Sequence, residues 1–155
     1  MEATLRPASP GDAPRVAQLL IDTRARFMPY APSAHSDDEV REWVATTLVP
    51  GGGVTVAQVD GRVLGAMATA REGGCSWIMQ MAVDPAVVGR GLGSSLLAQA
   101  LRDLPRPIRL YTFQANTGAR RFYERHGFAA IEFSDGLANE ERCPDVLYEI
   151  RGPAS

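Results

Sequence analysis

The stretch Val88-Gly89-Arg90-Gly91-Leu92-Gly93-Ser94 has the residue types and spacing best suited to chemistry in this chain. Glycines at 89, 91 and 93 let the backbone turn tightly, and let a ligand approach N–H groups with no Cβ in the way. A helix starting here, running into Ser95-Leu96-Leu97, leaves its first N–H donors unpaired at an end that carries partial positive charge. Together these features make an anion site suited to a pyrophosphate. Arg90 adds a formal charge. A Walker A loop would end in Gly-Lys-Ser/Thr, and this turn has no lysine. A dinucleotide fingerprint would need glycine where Ser94 stands, inside a parallel βαβ unit. Three glycines also suffice for a tight strand-to-helix connection, so the spacing alone leaves both readings open.

The elements that must position this turn follow from periodicity. Residues 3–6 read as a short opening strand, broken at Pro7–Gly11. From Asp12 a helix carries Val16, Leu19, Leu20, Thr23 and Phe27 on one face. The stretch Met28–Ala34, with two prolines, interrupts it. Ser36-Asp37-Asp38-Glu39 is a capping box, and Val40, Trp43, Val44, Thr47 and Leu48 form the apolar stripe behind it. Pro50 and three glycines stop that helix. The period then changes to that of strands over Val54–Val59 and Arg62–Arg71, joined by Asp60-Gly61, a strong hairpin signal. Gly73-Gly74 turns the chain again, so Cys75–Val83 should run antiparallel to its predecessor. A helix from Leu92 to Leu104, a strand over Ile108–Phe113 and a helix over Thr117–His126 follow, with Gly127 as C-cap. Phe128–Phe133 and Asp145–Ile150 complete the pattern. It predicts one α/β (α+β) domain over residues 1–155, a mixed and mostly antiparallel sheet flanked by helices.

Composition narrows the partners. A chain of 155 residues with 45% hydrophobic and 22% charged residues supports one sizeable core. A net charge of −2 argues against a nucleic-acid surface. The sequence holds no apolar run near the roughly 20 residues that a membrane span needs, and no secretory pattern at its start. Cys75 and Cys143 show neither metal-ligand spacing nor a disulfide framework, so no metal is expected and a reducing, cytoplasmic setting is.

Downstream, Asn116-Thr117-Gly118-Ala119-Arg120-Arg121-Phe122-Tyr123-Glu124-Arg125-His126-Gly127-Phe128 resembles the Asn-x-x-Ala-x-x-Phe-Tyr-x-x-x-Gly-Phe signature of the GNAT superfamily of N-acetyltransferases. The elements Val83-Asp84-Pro85 and Gly89–Gly93 are similar to that superfamily's acyl-CoA motif. The resemblance implies acetyl-CoA as co-substrate and a small-molecule or peptide amine as acceptor, with a homodimer left open. It implies that Met81, Ala82 and Val83 offer backbone groups to the pantetheine arm. Val88, Gly89, Arg90, Gly91, Leu92, Gly93 and Ser94 would cradle the pyrophosphate, Asn116 would contact the arm, and Tyr123 would reach the sulfur. One departure is Val88, where the family commonly has Gln or Arg, so one side-chain contact is lost and the backbone cradle is kept. Asp135-Gly136 and the run Asn139–Val146 resemble the tail of a bacterial subgroup.

The implied reaction sets further demands. An ammonium acceptor must lose a proton before attack, the developing oxyanion needs a donor, and the leaving thiolate needs a proton. The backbone N–H of Val83, or one near it, is the candidate oxyanion donor. Tyr123 is the candidate acid, its phenol protonated at neutral pH if its pKa stays near the usual value of about 10. Packing beside Phe122 is the alternative role. Many relatives carry a glutamate in the strand before the turn, but here that strand reads Trp77-Ile78-Met79-Gln80-Met81. Glu132, Glu140, Glu141 and His35 stay open as bases, as does water. Phe27 and Tyr30, with Glu140 and Glu141, are the candidates for the acceptor site. The rival reading is a non-catalytic acyl-CoA-binding sensor.

Overall fold

The computed structural model describes residues 2–31 and 33–152. Pro32, counted in the interruption after the first helix, lies outside the described residues, as do Met1 and residues 153–155. The chain runs β1 (Thr4–Pro7), α1 (Ala13–Phe27), α2 (Asp37–Trp43), β2 (Val54–Val59), β3 (Arg62–Glu72), β4 (Cys75–Val83), α3 (Leu92–Asp103), β5 (Ile108–Phe113), α4 (Thr117–Arg125), β6 (Ala129–Ser134) and β7 (Asp145–Ile150). The strands form one sheet in the order β1-β2-β3-β4-β5-β7-β6. Every neighbouring pair is antiparallel except β4 with β5.

Local chemistry explains most of these elements. Asp60 and Gly61 both take positive φ, as a two-residue hairpin turn requires. At the start of α2, Ser36 accepts from the Glu39 N–H at 3.1 Å and the Glu39 carboxylate accepts from the Ser36 N–H at 2.9 Å. The stripe predicted beyond it is corrected at Trp43 and Thr47, both exposed while Val44 is fully buried. Residues Val44–Leu48 form a π-turn, closed by the Val49 N–H on the Val44 carbonyl at 3.0 Å. That wider turn breaks the 3.6-residue phase.

Two cores hold the layers together. Ala13, Val16, Ala17 and Leu19 of α1 pack on Val56, Val63, Ala66 and Ala82. On the opposite face Leu92, Leu96, Leu97 and Ala100 of α3, with Tyr123 of α4, pack on Met67, Ile78, Leu110, Val146 and Tyr148. Each fully buried leucine there contributes about 2–3 kcal/mol relative to exposure. Tyr148 also anchors α4, its hydroxyl donating to Glu124 at 2.7 Å and accepting from Arg120 at 3.0 Å.

The sheet has one seam. β4 and β5 pair only at Ser76↔Ile108 and Trp77↔Arg109. The buried Ser76 fastens it, its N–H donating to Pro107 at 3.0 Å and its hydroxyl to the Pro105 carbonyl. Beyond Trp77 the strands part. A bulge at Met79 interrupts the β3–β4 register, since Ile78 faces Thr69 and Gln80 faces Ala68. An extra residue inverts the alternation of side chains. Ile78 therefore packs under α3 and α4, whereas Ala82 packs under α1.

Candidate functional site

The parting of β4 from β5 opens a cleft of about 1330 Å³. Hydrogen-bond alternation decides what its β4 wall presents. The Asp84 N–H donates to the Leu64 carbonyl at 2.8 Å, so in this antiparallel pair Ala82 and Gln80 also turn their main-chain groups to β3. Met81 and Val83 therefore turn theirs toward the cleft. The Val83 carbonyl, free of β3, lies 3.5 Å from Thr23 Oγ1 of α1. Ala82 is corrected as a cleft residue, because its side chain is buried in the α1 core and its main chain faces β3.

The turn after β4 is built on Asp84. Its carboxylate accepts from the Ala86 N–H at 2.9 Å and pairs with Arg15 at 2.7 Å, and these two partners hold its pKa below the ordinary value. The chain then passes through Gly89 at φ 88° and Gly91 at φ 90°, conformations that cost other residues strain. Gly93 is different: it sits inside α3, and a Cβ there would lie 3.5 Å from the Phe122 ring. The Ser95 N–H donates to the Gly91 carbonyl at 2.9 Å, the first bond of the α3 ladder. The N–H groups of Leu92, Gly93 and Ser94 precede that ladder and stand at the positive end of the helix. Val88, Gly89, Gly91, Leu92, Gly93 and Ser94 all line the cleft. Arg90 does not; its side chain is exposed outside it.

Helix α4 supplies the facing wall. Asn116 caps it, Oδ1 accepting from the Ala119 N–H at 3.2 Å, and still lines the cleft. Tyr123 is buried yet lines the cleft, and its ring packs edge-on against Phe122 at 5.1 Å and Phe128 at 5.7 Å. Among the described residues its hydroxyl makes no hydrogen bond. Burial pushes its pKa well above the usual 10. The phenol is thus protonated throughout the working range of pH, and the expectation of an ordinary pKa is corrected. His126 donates from Nδ1 to the Phe122 carbonyl at 2.8 Å, a helix-end contact that leaves it outside the cleft.

The other end of the cleft lies under α1. Of the four acceptor-site candidates, Phe27, Glu140 and Glu141 line it, whereas Tyr30 does not and instead packs edge-on against Phe113 at 6.3 Å. The 135–144 loop forms this lip. Asn139 shapes it, donating to the Cys143 carbonyl at 2.7 Å and to Asp145 at 3.2 Å. Glu141 meets Arg24 of α1 at 3.4 Å, and Glu140 meets His35 at 3.1 Å. Sequence reasoning did not single out Thr23, Arg24, Tyr111, Ser134 or Leu147, which also line the cleft. Only long-range pairing brings them there, and no local motif marks it. Among the described residues no group of three or more His, Cys, Asp or Glu side chains is placed to hold a metal ion, and no helix is long and apolar enough to cross a membrane.

Comparisons with known proteins agree with this architecture. The model of the family described as Acetyltransferase (GNAT) family matches residues 18–128. No curated protein matches the chain in sequence. A GNAT family acetyltransferase from Bacillus cereus ATCC 10987 is similar in structure, with TM-score 0.77, 18% identity, and coverage of 97% of this chain and 98% of that one. A PaiA N-acetyltransferase from Thermoplasma acidophilum, solved with coenzyme A, has TM-score 0.77 at 16% identity over 98% of this chain and 100% of that one. An Arabidopsis thaliana protein in complex with the bisubstrate analogue CoA-Ac-MVNAL has TM-score 0.71 at 21% identity over 98% and 100% of the two chains.

Proposed function

We propose that this chain, which belongs to the acetyltransferase (GNAT) family, transfers an acetyl group from acetyl-CoA to a primary amine, both being held in the one cleft. The observation that carries the reading is the wall itself. The outward-facing residues Met81 and Val83 line the same cleft as Leu92, Gly93 and Ser94, whose N–H groups are unpaired within the helix. An extended arm ending in a pyrophosphate fits such a wall: the strand edge takes the arm as an added strand, and the helix end takes the anion. The coenzyme A complex of the Thermoplasma acidophilum neighbour and the bisubstrate complex of the Arabidopsis thaliana one support this reading.

Acetyl-CoA supplies a thioester, an activated acyl group on a thiolate leaving group. The Val83 N–H is aimed to donate to the carbonyl oxygen as charge develops on it. Asn116 has committed Oδ1 to the α4 cap, which leaves Nδ2 to donate to the arm. As the new C–N bond forms and the C–S bond breaks, Tyr123 gives its hydroxyl proton to the sulfur. The amine gives up its own proton on the α1 side, to water or to a carboxylate of that lip. Phe27, Glu140 and Glu141 border the acceptor there. The two buried free thiols, Cys75 and Cys143, suit a reducing, cytoplasmic compartment.

Gln80 favours one second reading. It lines the cleft on the strand where many relatives carry a glutamate, which suits an acyl-CoA-binding sensor without turnover. One experiment separates the two: acetyl-CoA titrated calorimetrically, then its consumption followed against a panel of primary amines. Binding with turnover of any amine is the expected result. Binding without turnover across the panel would favour the sensor, and failure to bind would remove the cradle.

A further inference from the structure

We propose that Glu132 sets acceptor specificity by holding a second cationic group of a diamine whose other amine reacts at the β4–β5 gap. This rests on the acetyl-transfer reading above. The first observation is a bulge in β6. Ala130 pairs with Tyr148 and Glu132 pairs with Leu147, so Ile131 is the extra residue. With unbroken register Ile131 would stand opposite Leu147 and Glu132 would point to the α4 face. The inserted residue turns Glu132 onto the cleft face instead, and bulges near active sites commonly re-aim a side chain in this way.

The second observation is the row this creates. Tyr111 on β5, Leu147 on β7 and Glu132 on β6 are in register across the sheet, and all three line the cleft. Starting from the gap, a ligand crosses an aromatic ring 59% exposed, then a leucine, then meets a carboxylate. Two strand spacings separate β5 from β6, about 10 Å. An alkyl chain suits the apolar floor and a terminal ammonium suits its end.

The third observation is that Glu132 alone among the carboxylates of the cleft has no partner among the described residues. Glu140 meets His35, Glu141 meets Arg24 and Asp145 accepts from Asn139. In the adjacent row, buried Glu149 is taken by both Arg109 and Arg151, at 2.7 and 2.6 Å. A strand-borne carboxylate re-aimed by a bulge and left without an internal cation is placed for an external one.

The test compares 1,8-diaminooctane with octylamine as acceptors, since both have the same chain and differ only in the second cation. Wild-type protein should prefer the diamine in kcat/KM. Glu132 is exposed, so in Glu132→Gln that preference should fall about two- to fivefold, the scale of an exposed ion pair. Glu132→Asp should recover part of it. An unchanged preference in Glu132→Gln would overturn the assignment even with both amines acetylated. The reading itself would fail separately, if wild type consumed acetyl-CoA with neither amine and did not bind it. Calorimetric binding of 1,8-diaminooctane to the acetyl-CoA-loaded protein, expected to weaken in Glu132→Gln, tests the carboxylate independently of turnover; equal affinity in both proteins would overturn it.

Discussion

Alanine at Gly91 and alanine at Gly93 should move the protein in opposite directions, although the two positions are two residues apart in one motif. Gly91 sits at φ 90° with open space where a Cβ would go. The cost of Gly91→Ala is therefore backbone strain rather than collision, about 1–2 kcal/mol for an L-residue held in that region. Gly93 lies within α3 at an ordinary helical φ, and its new methyl would meet Phe122 at 3.5 Å and Val83 at 3.8 Å, normal contact distances. Replacing a helical glycine there should stabilise by up to about 1 kcal/mol. For a chain of this length 1 kcal/mol moves Tm by about 2–4 °C. Thermal unfolding followed by circular dichroism should thus place Gly91→Ala about 2–8 °C below wild type and Gly93→Ala up to about 4 °C above it. Calorimetry should find acetyl-CoA affinity reduced in Gly91→Ala, because relaxing the strain moves the N–H groups that follow it. Gly93→Ala should keep its affinity within a few-fold. Equal Tm losses in the two variants, or none in Gly91→Ala, would refute the distinction between a glycine required by the backbone and one that is merely small.

Other expectations follow from the same site. Tyr123→Phe should lower kcat by about 10²–10⁴-fold in a chemistry-limited assay with little change in acetyl-CoA affinity, and unchanged turnover would return Tyr123 to packing. Because burial raises the Tyr123 pKa, the wild-type rate should show no loss near pH 10 that Tyr123→Phe abolishes. A third expectation concerns Asp12, whose carboxyl is held down to about 2 from 3.8 first by the Arg6 guanidinium at 2.7 and 3.0 Å. A depressed carboxyl pKa stabilises the fold above the unfolded value and loses that contribution as pH falls. Urea unfolding of wild type and Arg6→Ala should therefore differ at pH 6 and converge between pH 3.8 and about 2.

The order of elements was legible because each carried its own local signal. Ser36 with Glu39 marked a helix start, Asp60-Gly61 a hairpin, and Asp145–Ile150 a strand whose bounds the structure reproduces. What the sequence hid was long-range register. Nothing in Trp77-Ile78-Met79-Gln80 announces a bulge, yet the bulge decides which side chains of β4 face α1. The same blindness made Ala82 equivalent to Met81 and Val83, when alternation against β3 separates them. Arg24 and Glu141 are 117 positions apart, and their pairing depends on a loop folded around Asn139. Thr47 was misplaced because it lies in a π-turn, which leaves no mark in hydrophobic period.

The main-chain wall of the cleft has a bearing on descent. Peptide N–H and C=O groups are the same in every sequence, so a strand edge and a helix start can be passed on while nearly every side chain around them drifts. Selection then needs to guard only the few positions where geometry depends on residue type, such as the glycine at φ 90° before α3. Proteins that keep this architecture while sharing few residues with the chain are the outcome such tolerance permits. The freedom extends to the far end of the cleft, which side chains such as Phe27 and Glu141 line, and there new preferences can arise without disturbing the wall.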